Sequence, residues 1–384
     1  MLSIKRLSST FIPRFKFPEY NIPLTDFKGH QRKAILKFHQ LLPQLNLLLE
    51  LRDIRAPLST RNVIFDDIIL KQKNQNTQRV ILYSKSDQGS PQTLKKLQKW
   101  HDEMGDQFMV LDCRSTRDVK NLIRLLQWKY DSLIRETLGD VGEGLPLGYR
   151  VLVAGMPNVG KSSLVNTLRF VGSVKTGNLA NSIHDNITSK RKKVAQTGGQ
   201  AGVTRKTSEC IKISDYKGGI YLYDTPGVSL PGRITTREKM LSLSLCGCIK
   251  SNLVDPVIQA DYLLYLMNLQ QQHSNGRFAY EQYTRGQPTN DIYRLLRGIQ
   301  KRAGIRDDTG SAIHWVDRWR QGKALSKGTM PISFDIETLL DDADFSYEKS
   351  TKEELSLLQE WSIAPAKRTA GDQMAQNVNQ LFKL

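Results

Sequence analysis

The residues with the clearest chemistry lie in the segment GMPNVGKS (155–162). Its spacing matches G-x-x-x-x-G-K-[ST], in which backbone N–H groups surround phosphate oxygens, the lysine contacts the terminal phosphates and the hydroxyl binds Mg²⁺. The apolar stretch YRVLVAG precedes it and a helical pattern follows it, as such a loop requires. The expected phosphate-loop contacts are Gly155, Met156, Pro157, Asn158, Val159, Gly160, Lys161, Ser162 and Ser163.

The segment DTPG (224–227), at the end of the apolar stretch GGIYLYD, predicts the other half of the phosphate site. Asp224 would hold Mg²⁺, and the Gly227 N–H could meet a terminal phosphate. Thr204 lies between the two motifs, where a switch threonine places its hydroxyl on Mg²⁺ only when the third phosphate is present. Taken alone, Thr204 would be an ordinary surface-loop residue, so this interpretation depends on its position.

The segment SKSD (84–87) follows another apolar stretch and could read a guanine base. A carboxylate at Asp87 could accept hydrogen bonds from guanine N1–H and N2–H₂ together, a pair that adenine does not offer. The usual motif is N-K-x-D, so Ser84 stands in place of Asn and one hydrogen bond is expected to be lost or shortened. Alone, the tetrapeptide also fits an ordinary turn after a strand. The expected base contacts are Ser84, Lys85, Ser86, Asp87, Asp112 and Cys113.

Each of these motifs follows a short, continuous apolar run, and six such runs alternate mostly with helical patterns. Continuous apolar runs are typical of strands that are buried on both faces. The predicted fold is therefore α/β, with a six-stranded, mainly parallel sheet covered by helices. From about residue 251 the pattern becomes helical. The predicted strands are LNLLLELRD, RVILYSKSD, QFMVLDCRS, YRVLVAG, SECIKIS and GGIYLYD.

The charge balance predicts a polyanionic partner. The net charge is +18, and residues 251–384 hold 16 basic and 17 acidic side chains, so the excess lies in residues 1–250. RNA is the commonest such partner, although a generally basic proteome would give a similar balance. The four cysteines (Cys113, Cys210, Cys246 and Cys248) form no C-x-x-C pair, which disfavours a zinc site or a disulfide framework. No apolar run approaches the ~18 residues of a membrane-spanning helix.

The N-terminal segment, residues 1–26, has the composition of a mitochondrial transit peptide. Lys5, Arg6, Arg14 and Lys16 precede the first acidic residue, Glu19, and hydroxyls alternate with apolar side chains. A disordered RNA-binding arm would have a similar composition.

The order of the motifs, with the base segment before the phosphate loop, resembles the circularly permuted GTPases of the YlqF/RbgA type and their mitochondrial ribosome-assembly relatives. FKGHQRKA (27–34) is similar to that family's F-P-G-H-M-x-K-A opening, with Lys28 for Pro and Gln31 for Met. RDIRAPLSTRN (52–62) follows its D-A-R-x-P-x-S-x-R-N signature, and HWVDRWRQGKAL looks like the end of its helical domain. The resemblance covers roughly residues 27–330.

The resemblance implies a circularly permuted P-loop GTPase domain at 27–250 and a helical RNA- or ribosome-binding domain at 251–330. Residues 331–384, outside the resemblance, hold 5 basic and 10 acidic side chains and are predicted to form an acidic tail. The resemblance also implies a monomer that uses GTP and Mg²⁺ in the mitochondrial matrix and contacts the inner membrane peripherally. Its task would be assembly of the large ribosomal subunit, needed for mitochondrial translation, with rRNA bound in the GTP state and released after hydrolysis. The expected RNA contacts are Lys190, Arg191, Lys192, Lys193, Arg205, Lys206, Arg318 and Arg320.

Some of these RNA contacts have ordinary alternatives. The basic run at 190–193 is also typical of a solvated loop, and Trp315 and Trp319 could be core residues beside solvated arginines.

Hydrolysis would need help, because Val228 follows DTPG where Ras-like enzymes have a Gln that orients water. Asn158 matches a position that binds K⁺ in related GTPases, and His30 could position water when the ribosome holds it. His30 could instead only cap or pack the first helix. The catalytic set is thus His30, Lys161 and Thr204. A nucleotide-regulated RNA or membrane-surface tether with little turnover remains an alternative, as does an ATPase, against which Asp87 argues.

Overall fold

The strands form one sheet in this computed structural model, which describes residues 11–24, 35, 38–71, 77–139, 144–175, 210–230, 234–271, 278–323, 334–335 and 351–356. The strands are β1 (Leu47–Asp53), β2 (Gln78–Ser84), β3 (Phe108–Val110), β4 (Tyr149–Gly155), β5 (Ile211–Ser214) and β6 (Ile220–Asp224). Their order along the sheet is β3-β2-β1-β4-β6-β5. All neighbouring pairs are parallel except β5 and β6, which are antiparallel. The predicted six-stranded, mainly parallel sheet is confirmed.

Helices follow most of the strands. They are α1 (Val63–Lys71), α2 (Pro91–Met104), α3 (Thr116–Leu138), α4 (Lys161–Lys175), α5 (Arg237–Cys246), α6 (Pro256–Gln271), α7 (Glu281–Thr284), α8 (Ile292–Ala303) and α9 (Asp308–Arg320). Helix α2 begins at Pro91, with the Ser90 hydroxyl accepting from Thr93 N–H, and ends before Gly105, which lies in the left-handed region. Among the described helices, none combines the length and the apolar character needed to cross a bilayer.

The side of the sheet on which successive strands are added changes between β1 and β4. From β1 the chain adds β2 and then β3 on one side, and it then returns to place β4 and β6 on the other side. Open α/β sheets bind their ligands at such a point, and the predicted phosphate loop follows β4.

The central strand β1 carries buried charges. Glu50 and Arg52 point to the same face, because side chains alternate along a strand, and both are at most 1% exposed. The Arg52 guanidinium donates to both Glu50 carboxylate oxygens, at 2.8 and 3.0 Å. Arg79 on β2 extends the network to Asp66 and Asp106. Since unpaired charges are costly in an apolar interior, this strand depends on its internal pairs.

The helices after residue 251 pack on one another and on the sheet domain. Trp315 and Trp319 of α9 are buried, which confirms the core alternative for these two tryptophans. Buried side chains of α6, α8 and α9 belong to the same apolar cluster as those of the sheet. The division of the chain at residues 250 and 330 stays a prediction.

Residues 11–24, part of the predicted leader, lie against α6. The Arg14 guanidinium donates to both carboxylate oxygens of Asp261, at 2.6 and 3.0 Å, and the rings of Phe17 and Tyr262 are 5.0 Å apart. The Tyr265 hydroxyl donates to the Phe15 carbonyl at 3.2 Å. This segment is thus a packed part of the folded protein.

Two short C-terminal pieces, residues 334–335 and 351–356, lie against the loop between β1 and α1. The Phe334 N–H donates to the Arg55 carbonyl at 2.8 Å, and Arg61 donates to the Thr351 hydroxyl at 3.1 Å. The piece at 351–356 also reaches α5, where Glu354 pairs with Lys239.

Replacing Glu50 by Ala should destabilise the fold by roughly 3–5 kcal/mol, because the Arg52 guanidinium would lose its buried partner. The free energy of unfolding from urea titration measures this. Glu103→Ala, which removes an exposed pair with Lys99, should change it by less than about 1 kcal/mol. Equal effects of the two substitutions would contradict the importance of the buried pair.

Candidate nucleotide-binding site

The phosphate loop closes tightly against the carboxyl end of β1. Gly155 has φ +145°, and a Cβ there would collide with the Leu51 carbonyl oxygen. Gly160, at the start of α4, has φ +108°. These positions need glycine because a side chain would be strained or have no space. The resulting turn leaves backbone N–H groups at the N-terminus of α4, the arrangement that binds phosphate groups.

Lys161 rests on carbonyl oxygens of its own loop. Its ammonium donates to Gly155 O at 3.1 Å and to Met156 O at 2.5 Å. The side chain is buried, and burial lowers the pKa of Lys161 to about 8, against the opposing influence of Asp224. The ammonium is therefore held at the loop, where phosphate oxygens could replace the carbonyl acceptors.

Asp224 is a buried carboxylate at the end of β6. It is 1% exposed, and neither of its oxygens accepts a hydrogen bond of normal geometry from the described residues. Burial raises the pKa of Asp224 to about 6, while Lys161 and the nearby Thr225 N–H oppose that rise. A buried polar group without a partner is costly, and a bound cation would remove this cost.

These residues fit a Mg²⁺ ion that is bound together with a nucleotide. Ser162, half-buried in the first turn of α4, supplies a hydroxyl near the same loop. The described residues contain no cluster of three or more His, Cys, Asp or Glu that could cage a metal by itself. Mg²⁺ is commonly held by one or two protein ligands plus substrate phosphates, which agrees with this small set.

The DTPG segment packs directly on the phosphate loop. A Cβ at Gly227 would lie 2.6 Å from Pro157 Cα, so only glycine fits there. The Val228 N–H donates to Gly155 O at 3.2 Å, and the Thr225 hydroxyl donates to Val153 O at 2.8 Å. The structure thus brings the two predicted phosphate motifs together.

Val228, the residue after DTPG, is a core residue. It is 4% exposed and packs in an apolar cluster with Phe65 and Leu152. The Asn62 amide donates to the Val228 carbonyl at 2.9 Å. An apolar side chain that points into the core cannot orient an attacking water, so this position supplies no catalytic group.

The base segment SKSD also meets the phosphate loop. A Cβ at Gly160 would lie 3.3 Å from the Cys113 sulfur and 3.6 Å from Ser84 Cβ. Lys85 follows β2 with φ 60°, and Asp87 is exposed in the next turn. Ser84 and Cys113 therefore lie beside the phosphate loop, and Lys85 and Asp87 follow Ser84 directly in the chain. The role of these residues in binding the base stays a prediction.

Asp112 is only partly exposed and is engaged within its own loop. Its Oδ1 accepts from the Arg114 N–H at 2.9 Å, and Ser115 caps α3 by accepting from Asp118 N–H.

The end of β1 and the loop after it make contacts that were not predicted from the sequence. Asp53 binds Lys85 of the base segment, Arg55 lies over the Trp319 ring at 4.4 Å, and Asn62 binds the residue after DTPG. All three belong to the signature RDIRAPLSTRN. The signature indicates that these residues belong to one motif, but it does not indicate which residues they contact in the fold.

Asn158 contacts the far end of α5. Its side-chain amide donates to the Gly247 carbonyl at 2.8 Å, and Gly247 ends the helix with φ 73°. The phosphate loop and the helix that follows DTPG are thus joined by this amide.

Arg320, which was predicted as an RNA contact, instead binds acceptors within the protein. Its guanidinium donates to Ser244 O and Leu245 O, both at 2.8 Å, and to Asp317 at 2.7 Å. A guanidinium with these internal acceptors is committed to holding α9 against the end of α5. Arg318, the neighbouring candidate, donates to Lys323 O at 3.1 Å and is half-buried.

Several predicted site residues lie outside the described residues. They are His30, Lys190, Arg191, Lys192, Lys193, Thr204, Arg205 and Lys206.

Comparisons with family models, known proteins and solved structures each give matches. Residues 150–291 match the family model described as "50S ribosome-binding GTPase". Mitochondrial GTPase 1 of Saccharomyces cerevisiae is 45% identical over 381 residues, which are 97% of this chain and 96% of that protein. Mitochondrial ribosome-associated GTPase 1 of Xenopus tropicalis is 30% identical over 300 residues, 78% and 86% of the two chains. The solved structure of GNP-bound YlqF from T. maritima is 21% identical, with a TM-score of 0.45 over 76% of this chain and 95% of that one.

Replacing Asp87 by Asn should lower the affinity for GTP by roughly ten- to a hundredfold, because hydrogen bonds to a charged acceptor would be lost. The affinity for xanthosine triphosphate should rise, since the amide can donate to the xanthine 2-oxo group. Competition against a fluorescent nucleotide measures both affinities. Asp102→Asn, on the exposed face of α2, is the control and should change neither. Unchanged preference for GTP over ATP and xanthosine triphosphate in Asp87→Asn would contradict the assignment of the base.

Proposed function

The chain belongs to the mitochondrial GTPase 1 family, and from that premise we propose that it is a GTP-hydrolysing assembly factor for the large subunit of the mitochondrial ribosome. The observation that carries the proposal is the Asp224 carboxylate, buried without a normal hydrogen-bond partner beside Lys161 and the phosphate loop. This is the environment of a metal-dependent nucleotide site. The ribosomal part of the proposal is supported by the names of its relatives, which describe ribosome-associated proteins.

GTP and Mg²⁺ would bind together. Lys161 and the phosphate-loop N–H groups would hold the phosphates, and Asp87 would read the base. Ser162 and Asp224, with Thr204 from the segment outside the described residues, would hold Mg²⁺. Bound Mg²⁺ supplies charge neutralisation for the phosphate oxygens, while the chain orients the nucleotide and excludes water.

Slow intrinsic hydrolysis follows from Val228. Its side chain lies in the core and its carbonyl is tied to Asn62, so the water-orienting group must come from elsewhere. We assign that role to His30 when the ribosome holds the N-terminal segment. K⁺ near Asn158 would neutralise charge that develops during the reaction. Because the Asn158 amide donates to Gly247 O, K⁺ binding would also affect the end of α5.

RNA binding would use the basic segments around the switch threonine and Arg318 of α9, whereas Arg320 is committed to the end of α5. The proposed RNA contacts are Lys190, Arg191, Lys192, Lys193, Arg205, Lys206 and Arg318. Phosphate contacts of this type are independent of base sequence and weaken as salt increases. Binding of rRNA in the GTP state, with release after hydrolysis, completes the proposed cycle and its role in mitochondrial translation.

The proposed location is the mitochondrial matrix, with peripheral contact to the inner membrane and a monomeric state. A leader that is removed after import would end before Ile12. The reason is that the segment from Ile12 to Leu24 is tied down: Asn290 donates to Ile12 O, Arg14 pairs with Asp261, and Ile234 donates to Leu24 O.

Single-turnover hydrolysis with and without large mitochondrial subunits, in K⁺ and in Na⁺, tests the proposal. The wild-type protein should be slow alone and faster with subunits and K⁺. GTP binding without stimulated turnover would instead support the nucleotide-regulated tether.

His30→Ala should keep the affinity for GTP and lose stimulated hydrolysis by about a hundredfold or more, the usual contribution of a general base. His39→Ala, nine residues further along, is the control and should hydrolyse like the wild type. Stimulated turnover at the wild-type rate in His30→Ala would eliminate the proposed role of His30.

A further inference from the structure

A buried carboxylate lies at the point where β1 enters the loop RDIRAPLSTRN. Asp53 is fully buried, and its oxygens accept from Arg55 Nε at 2.9 Å and Arg55 Nη2 at 2.7 Å. The Asp53 N–H donates to the Thr60 hydroxyl at 2.9 Å, which fixes the backbone at the same place. The carboxylate also binds the Lys85 ammonium from the base segment. Asp53 thus joins a rigid strand to the base-reading turn.

Lys85 needs such support because of its backbone. Its φ of 60° lies in the left-handed region, which a side chain with a Cβ disfavours and which persists only where the surroundings hold it. Its side chain is only 22% exposed, with the ammonium directed to Asp53. The Lys85 carbonyl accepts from the Gln88 N–H at 2.8 Å, and the Ser86 N–H donates to Leu111 O at 3.4 Å. These contacts hold the backbone of the turn, while the ion pair with Asp53 holds the lysine side chain.

The usual first residue of the motif cannot provide this constraint. Ser84 stands where Asn is expected, and its hydroxyl donates to the Arg52 carbonyl of β1 at 3.2 Å. The short side chain is buried and is directed to the strand rather than across the base segment. The base motif therefore lacks the amide that would bridge it to neighbouring loops.

We propose that Asp53 is a positioning residue for guanine recognition. Its carboxylate fixes the Lys85 ammonium, and thereby the lysine stem that packs along the base, in a motif that has no asparagine. The proposal rests on the assignment of Lys85 and Asp87 to the guanine base.

The charge state of Asp53 supports a permanent contact rather than a pH switch. Burial acts to raise the pKa of Asp53, but Arg55 and Lys85 lower it below its usual range. The carboxylate is therefore ionised at neutral pH, and both cations retain their partner.

Asp53 also stabilises the packing of α9, and the test must separate this effect from its effect on Lys85. Arg55, which it orients, lies over Trp319 and donates to Arg320 O at 3.4 Å. Losing Asp53 would therefore loosen α9 as well as Lys85. Affinity for nucleotide must be compared with stability, and the effect must be traced to Lys85.

A double-mutant cycle in the full-length protein makes this distinction. GDP affinity, measured with a fluorescent GDP, is compared for the wild type, Asp53→Asn, Lys85→Ala and the double variant. Asp53→Asn and Lys85→Ala should each lose at least about tenfold, and the double variant should bind like Lys85→Ala alone. Losses that multiply in the double variant, or wild-type affinity in Asp53→Asn, would overturn the proposal.

A further variant tests whether a loss of affinity reflects a general loss of stability. Glu50→Gln makes the same kind of change to a buried carboxylate of β1 and should lower the thermal midpoint while leaving GDP affinity within about twofold. An equal affinity loss in Glu50→Gln and Asp53→Asn would overturn the proposal, because it would show a general effect of instability.

Lys85→Met keeps an apolar stem over the base without the ammonium, and it leaves Asp53 paired with Arg55. It should bind GDP as weakly as Lys85→Ala. Wild-type affinity in Lys85→Met would overturn the proposal even if Asp53→Asn does not fold. If Asp87→Asn leaves the preference for guanine intact, the base assignment itself fails, which is an outcome distinct from failure of Asp53 alone.

Discussion

The close approach of β1 and β4 at their carboxyl ends is the constraint on which the site depends. Gly155 has no space for a Cβ because the Leu51 carbonyl lies against it. That contact fixes the start of the phosphate loop relative to the loop that follows β1. Lys161, Asp224 and the base segment are then brought to the same edge by the parallel register of the sheet. Position in a parallel sheet depends on strand pairing and not on chain order, so the base segment can precede the phosphate loop without any change in the site.

The end of α5 is where the nucleotide site meets the helices beyond residue 250. Asn158 binds the Gly247 carbonyl, and Arg320 binds the Ser244 and Leu245 carbonyls one turn earlier. The last carbonyls of a helix have no partners within the helix, so donors from outside can hold them. The phosphate loop and α9 therefore share one helix terminus, and that helix follows DTPG in the chain. A rearrangement at DTPG would therefore be transmitted to α9 through α5, whose end contacts both Asn158 and Arg320.

The local chemistry of the site could be predicted from the sequence, and its tertiary partners could not. The phosphate loop, DTPG and SKSD are recognisable because their geometry needs particular residues at fixed spacing, as Gly155 and Gly227 illustrate. Strand β1 was predicted from its apolar run, yet its Glu50–Arg52 pair was not, since short-range patterns do not reveal buried pairing. Arg320 was predicted as an RNA contact because it stands beside tryptophans that could stack on RNA. Its acceptors on α5 are about 75 residues away in sequence, and no local pattern indicates such a contact.

The loop between β1 and α1 explains why the site can lack two residues that other GTPases use. Where Asn is missing from the base motif, Asp53 supplies a charged contact to Lys85 from a fully buried strand end. Where Gln is missing after DTPG, Asn62 instead ties the Val228 carbonyl down and the side chain packs into the core. The same loop thus stabilises base recognition and immobilises the segment that would otherwise carry a water-orienting group. Under the proposed function, the water-orienting group would therefore come from a segment that the sheet itself does not position.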